Sequence, residues 1–164
     1  MISDAAAWHE ANQRYLSFAL AEIKERLKHL VADKEGDDRN ETDEVGEKTE
    51  AKMAIIRSSM QSPPSLDIVC RSFGLSGFER DLLLLCAGVE LDSGFASLLA
   101  QFAGGIPHSY ATFGLALAVL ENAHWSALSP ASPLRRWRLI EVDEGRTLTS
   151  SPIKIEERVL HYLA

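Results

Sequence analysis

Residues 76–92, "SGFERDLLLLCAGVELD", limit what this chain can fold into more than any other stretch. Read from Arg80 onward, four leucines run into small residues and two acids, which has the look of a buried strand ending in metal-binding carboxylates. The residues ahead of them decide otherwise. Ser76 and Glu79 stand three apart, so the serine hydroxyl can accept from the Glu79 amide while the Glu79 side chain reaches back to the serine amide. A reciprocal cap of this kind starts a helix, and it puts the leucines inside one. No G-x-x-x-x-G-K-[ST] occurs anywhere, so no loop is present to cradle phosphates. Glu90 and Asp92 then read as helix-end residues.

Helical signals continue on both sides. Residues 66–73 form a short helix that Gly74 closes. Asp92 caps the next helix, with Phe95, Leu98, Leu99 and Phe102 at i, i+3, i+4 and i+7, and Gly104-Gly105 stop it. Thr112 opens "TFGLALAVLE", apolar on every side and therefore a buried helix. A helical turn at 124–128 precedes Pro130 and Pro133. The period then changes. "RRWRLIEV" (135–142) predicts a strand, "DEGR" its turn, and "TLTSSPIKI" the returning strand, with Ile153 and Ile155 pointing the same way. "EERVLHYLA" closes the chain, with Val159, Leu160 and Leu163 as its apolar stripe. Helices, a hairpin, then a closing helix predict a mainly α winged-helix domain: a helical core with a two-stranded β-hairpin wing.

A long amphipathic helix precedes this domain. Trp8, Tyr15, Ala19, Ile23, Leu27 and Leu30 recur along one face of residues 4–31. Glu22 and Arg26 form an i,i+4 pair assigned to the outer surface. The apolar stripe requires cover, either from the rest of the chain or from a partner helix. Residues 32–50, "ADKEGDDRNETDEVGEKTE", hold one large apolar residue, Val45, and predict a flexible acidic linker. A short helix at 51–60 follows and ends before Pro63-Pro64. The expected organisation is an N-terminal helix at 1–31, the linker at 32–50, a short helix and connector at 51–64, and the winged helix at 65–164.

Charge follows this division. The net charge is −7, and residues 33–50 alone carry nine acids against three bases. No window approaches the roughly 18 apolar residues of a membrane span, and no basic segment followed by an apolar run marks a secretory signal. Cys70 and Cys86 both sit in leucine-rich helical context, which predicts buried free thiols and a reducing, cytoplasmic setting. The histidines are scattered and neither cysteine has a partner at zinc-site spacing, so no metal is expected. His161 reads as a solvent-side or half-buried histidine. No G-x-S-x-G elbow frames a serine. The chain is expected to have no catalytic residue and no cofactor of its own.

Winged helices commonly place one helix in the DNA major groove and hold phosphates with lysine and arginine. Here no Lys or Arg lies between Arg80 and Arg135. The basic cluster is Arg135, Arg136 and Arg138, flanking Trp137 at the start of the predicted wing. It can meet phosphates, or its members can point to solvent while Trp137 and Leu139 cover the core. The acids Glu141, Asp143 and Glu144 that follow favour the second reading. Arg135, Arg136, Arg138 and Arg146, together with Trp8, are the candidate contacts for a protein partner.

Several long motifs carry a family resemblance: "FGLSGFERDLLLLCAGVELDSGFASL", "TFGLALAVL", "HWSALSPASPLRRWRLIEV" and "LTSSPIKIEERVLHYLA". In this order, over residues 65–164, they resemble the winged-helix domain N-terminal to the AAA+ module of a group of bacterial ATPases. Some members of that group are encoded with phage-tail-like contractile injection systems. Gly77 departs from the pattern, which often has proline after the cap serine. The resemblance implies a motor following Ala164, with ATP and Mg²⁺ bound there and a hexameric parent. It implies a non-catalytic domain that recognises a protein substrate or adaptor or packs on its own AAA+ module. A DNA anchor is the alternative, and no membrane contact is implied.

Overall fold

The leucine run is helical, as its cap requires. In the structure, a computed structural model describing residues 4–36, 42–103, 105, 110–145 and 147–164, helix α4 spans Gly77–Leu91. Its Ser76 Oγ accepts from the Glu79 amide at 3.2 Å, and Glu79 Oε2 accepts from the Ser76 amide at 2.9 Å. Leu82, Leu83, Leu84 and Leu85 are all fully buried. Successive helical residues turn by roughly 100°, so four buried in a row demand cover on every side. α1 (Asp4–Glu35), α5 (Ser93–Phe102) and strand β3 (Pro152–Ile155) supply it. Each leucine contributes about 1.5–3 kcal/mol by burial, which makes α4 the centre of the core.

The first helix belongs to that core. Tyr15, Ala19, Ile23 and Leu27 are buried, and α1 packs on α4, α5 and the second helix of the chain, so its stripe is covered within the chain. The Glu22–Arg26 pair does not lie on the outer surface as expected. It sits at the α1–α4 seam, where Arg26 also reaches Asp81. α1 runs on to Glu35, and α2 spans Thr42–Ser59. Residues 42–50 of the expected linker are therefore helical, while 37–41 lie outside the described residues. Met53 and Ile56 anchor α2 by burial, and a helix anchored at one end extends at little cost even through exposed acids such as Glu47 and Glu50.

α3 (Ser65–Phe73) ends at Gly74 in the left-handed conformation, φ 65°. Asp92 caps α5 by accepting from Gly94 N at 2.8 Å, and Thr112 caps α6 (Phe113–Val119) by accepting from Leu115 N at 3.1 Å. α5 ends at Phe102, with Gly105 at φ 83°; Gly104 is outside the described residues. The expected two-stranded wing is a three-stranded antiparallel sheet ordered β1-β3-β2. The added strand, β1, is only Ala111–Thr112, and Ala111 pairs with Ile153. Two extended residues before a helix cap are too few to show a period in the sequence.

The wing strands are shorter than expected. β2 is Ile140–Val142, in register with β3 as Ile140↔Ile155 and Val142↔Ile153. Residues 147–150 form a turn instead of strand. Arg135 and Arg136 are not in a strand either: a 3₁₀ turn at Trp125–Leu128 leads into helix α7, Pro133–Arg136. Proline at the first helical position, after the extended Ser132, favours that turn. α8 (Glu157–Leu163) closes the chain over α3. Among the described residues no single helix is long and apolar enough to cross a membrane.

Candidate functional site

The surface feature that stands out is a groove of about 520 Å³ between α3, the corner joining α7 to β2, and α8. α3 contributes Ile68, Val69, Ser72 and Phe73. The corner contributes Trp137, Arg138 and Leu139, and α8 contributes Val159 and Tyr162, with Glu156 and Arg158 at its start. Two large aromatics stand open to solvent there, Trp137 at 54% and Tyr162 at 50% exposure.

The corner is built by a helix-ending motif. Leu139 N donates to Leu134 O at 2.9 Å, and Arg138 N donates to Arg135 O at 3.2 Å. These are the two bonds of a Schellman ending, whose left-handed seat is normally taken by glycine. Here Arg138 takes it, with φ 53°. Leu134 and Leu139, on either side of the turn, are buried. With the two leucines turned inward, Trp137 and Arg138 face out. Trp137 does not cover the core as expected. It meets Phe73 with ring centroids 5.9 Å apart, and the Arg136 guanidinium lies 5.3 Å from its centroid. Strained backbone at a surface arginine is the kind of local cost that clusters at binding sites.

The α8 wall is fixed to the same corner, because Glu156 N donates to Leu139 O at 3.0 Å. Glu156 caps α8 by accepting from Arg158 N at 2.9 Å and Val159 N at 3.2 Å. Arg158 Nε also donates to Glu156 Oε1 at 2.9 Å, and this bond foremost holds the Glu156 carboxyl below its ordinary range.

The expected contact residues are thus divided. Arg138 lines the groove and Arg136 sits beside it on the Trp137 ring. Arg135 turns away, donating from Nη1 to Leu128 O at 2.7 Å, so it supports the fold. Trp8 lies elsewhere, half-buried, its Nε1 donating to Ser62 O at 3.0 Å. Arg146 is outside the described residues. Phe73, Val159, Tyr162 and Arg158 were not expected to act together. α3 and α8 meet only through folding, and no local sequence signal links them.

The helices and wing beyond the groove differ in charge. α5 and α6 carry no Lys or Arg, and Phe113, Leu115 and Ala116 of α6 are buried. On the wing, Lys154 pairs with Glu141 at 3.2 Å. Cys70 and Cys86 are free thiols, and His161 is exposed beside Glu157 at 3.7 Å.

A family model described as "Winged helix domain, variant" matches residues 4–164, so the match takes in α1 and α2 together with the sheet and α8. Neither a curated protein nor a solved structure matches the chain.

Proposed function

The chain belongs to the winged helix domain family in its variant form, and from that premise we propose that it is a non-catalytic recognition domain that binds a protein partner through the Trp137 groove. The observation that carries this reading is the pairing of two half-exposed aromatics with arginines over an apolar floor. Aromatic residues and arginine are the side chains that interfaces enrich and that dominate their binding energy. Among the described residues, the surfaces a DNA-reading winged helix would use offer no matching supply of cations: α5 and α6 have no Lys or Arg, and Lys154 of the wing is paired with Glu141.

The likeness of residues 65–164 to the N-terminal domains of bacterial AAA+ ATPases supports a more specific role. The domain selects or positions a protein substrate or adaptor for an ATP-driven remodelling motor, hexameric and cytoplasmic, that binds ATP and Mg²⁺ in its own module. Service to a contractile injection system is one such role. Packing of the groove on the motor itself is a form of the same reading, with the motor as partner.

A photo-crosslinking residue in place of Trp137, compared with one in place of exposed Ile55 on α2, tests this in nuclease-treated lysate. Protein adducts specific to position 137 are expected. Adducts to nucleic acid at position 137 before nuclease treatment, with none to protein afterwards, would overturn the reading in favour of a DNA anchor.

A further inference from the structure

We propose that the groove takes an acidic peptide segment carrying a bulky apolar anchor; this rests on the recognition reading above and adds the chemistry of the occupant. The chain as a whole carries −7, yet the charges facing this groove are mostly positive. Arg138 and Arg136 form no ion pair among the described residues. Arg158 stands on the α8 wall, its side chain 89% exposed, and its charge is shared with Glu156 at 2.9 Å, so the unpaired cations of the groove are Arg138 and Arg136. The single acid of the lining, Glu156, is already engaged by two α8 amides and by Arg158. On neighbouring elements Asp67 pairs with Arg57, and Glu157, exposed on α8, lies 3.7 Å from His161, which carries charge only when protonated.

Lys24, Arg26 and Lys154, by contrast, are neutralised where they stand, by Asp92, Asp81 and Glu141. An acidic segment is therefore repelled by the surface in general and attracted here, which gives the groove selectivity as well as affinity. The floor supplies the second half of the recognition. Ile68, Val69, Leu139 and Val159 offer apolar surface beneath Phe73, Trp137 and Tyr162. Arg158 and Tyr162 are i,i+4 on α8, so one wall presents a cation and an aromatic side by side. An acid next to a Leu, Phe or Trp matches both.

The test is selection from a random 12-residue peptide display library on the full 164-residue chain, with counter-selection on W137A. Recovered peptides are expected to be rich in Asp and Glu around an aromatic or leucine. Their affinity should fall tenfold or more on the R138E/R158E double substitution and weaken as salt is raised. Exchanging their acids for lysine should abolish binding to the native chain and restore it partly to the double variant. Thermal melts of the variants confirm that each is folded. Recovery of neutral or basic peptides, or acidic ones indifferent to R138E/R158E, would overturn the proposal, as would recovery of none. The two readings fail separately. A protein adduct at position 137 with no acidic preference keeps the recognition role and removes the acidic occupant, whereas loss of both results removes both.

Discussion

Arg26 on the first helix donates from Nη1 to Asp81 Oδ2 on the central helix at 2.6 Å, and its other terminal nitrogen reaches Glu22 at 2.9 Å. Arg80 holds the second Asp81 oxygen at 2.7 Å. Arg26 and Asp81 are only 19% and 10% exposed, so the seam between α1 and α4 depends on this arrangement. Arg26→Ala leaves partly buried Glu22 and buried Asp81 with one fewer cation, and should lower stability by about 1–3 kcal/mol in urea unfolding. The Glu22 carboxyl lies above its ordinary 4.5, chiefly because burial disfavours its charge against the pull of Arg26. Its ionisation therefore costs the folded state. That cost is absent below 4.5 and appears as pH rises through the raised folded value. Wild type should accordingly lose stability relative to Glu22→Gln between pH 4 and pH 7, and a constant difference would refute the assignment.

Gly77 opens α4 and a Cβ built there meets no atom within 4 Å. The preceding Ser76 is extended, φ −69° and ψ 167°, which is the conformation a following proline requires. Gly77→Pro should therefore raise stability by about 0.5–1 kcal/mol through the unfolded state, read as a melting temperature higher by roughly 2–4 °C. A lower melting temperature would show that the first turn needs the glycine.

Gly88, one helix turn before the end of α4, is the opposite case. A Cβ there would enter the Phe95 ring of α5. The two helices meet at 110° around Asp92, and the missing side chain lets that ring, fully buried, lie against the α4 backbone. Gly88→Ala should cost about 1–3 kcal/mol by overpacking. A Gly88→Ala/Phe95→Leu double variant should recover part of the loss, because the two effects share one contact.

Burial pushes the Cys86 thiol up to about 12 and that of Cys70 up to about 11, from an ordinary 9.0. Neither thiol is nucleophilic near neutrality, so Ellman's reagent at pH 8 should react slowly with the native chain and rapidly with both cysteines in denaturant. Below pH 9 both the folded and the unfolded thiols stay protonated and contribute nothing to pH dependence. Above it the unfolded chain releases protons that the folded chain retains, so stability should fall as pH rises from 9 towards 11. Fast native labelling of Cys86 would mean that the core opens readily.

What was legible in the sequence was mostly local. Ser76, Asp92, Thr112 and Gly74 each act within four residues of themselves, and all four cap the helices they were expected to cap. The α7 corner was misread because "RRWRL" alternates like a strand, while its true start signal was Ser132-Pro133 and its stop was an arginine in a glycine's seat. The helical run of acids after Thr42 was hidden because its support comes from Met53 and Ile56 further along. Of the groove, only Arg138 and the neighbouring Arg136 were legible as contact residues. Phe73, Trp137 and Tyr162 stand in three distant segments, and only the closure of α8 over α3 unites them.

The arginine cluster offers the sharpest separation of folding from binding. From the sequence, exchanging Arg135, Arg136 and Arg138 together for glutamate reads as a surface change. In the structure Arg135 holds the end of the 3₁₀ turn through Leu128 O, so Arg135→Glu should lower stability by about 1–2 kcal/mol by removing that bond. Arg138 is different. Its backbone occupies a conformation that costs a non-glycine residue roughly 1–2 kcal/mol, and its side chain forms no hydrogen bond or ion pair among the described residues. Arg138→Gly should leave the melting temperature unchanged or raise it, while weakening capture of the partner crosslinked at position 137. Arg138→Asn, which also tolerates the left-handed seat, should bind as weakly as the glycine variant, because the cation and not the backbone is what the partner reads. If Arg138→Gly melts lower than wild type, the corner is held by the arginine side chain, and the separation proposed between Arg135 and Arg138 is wrong.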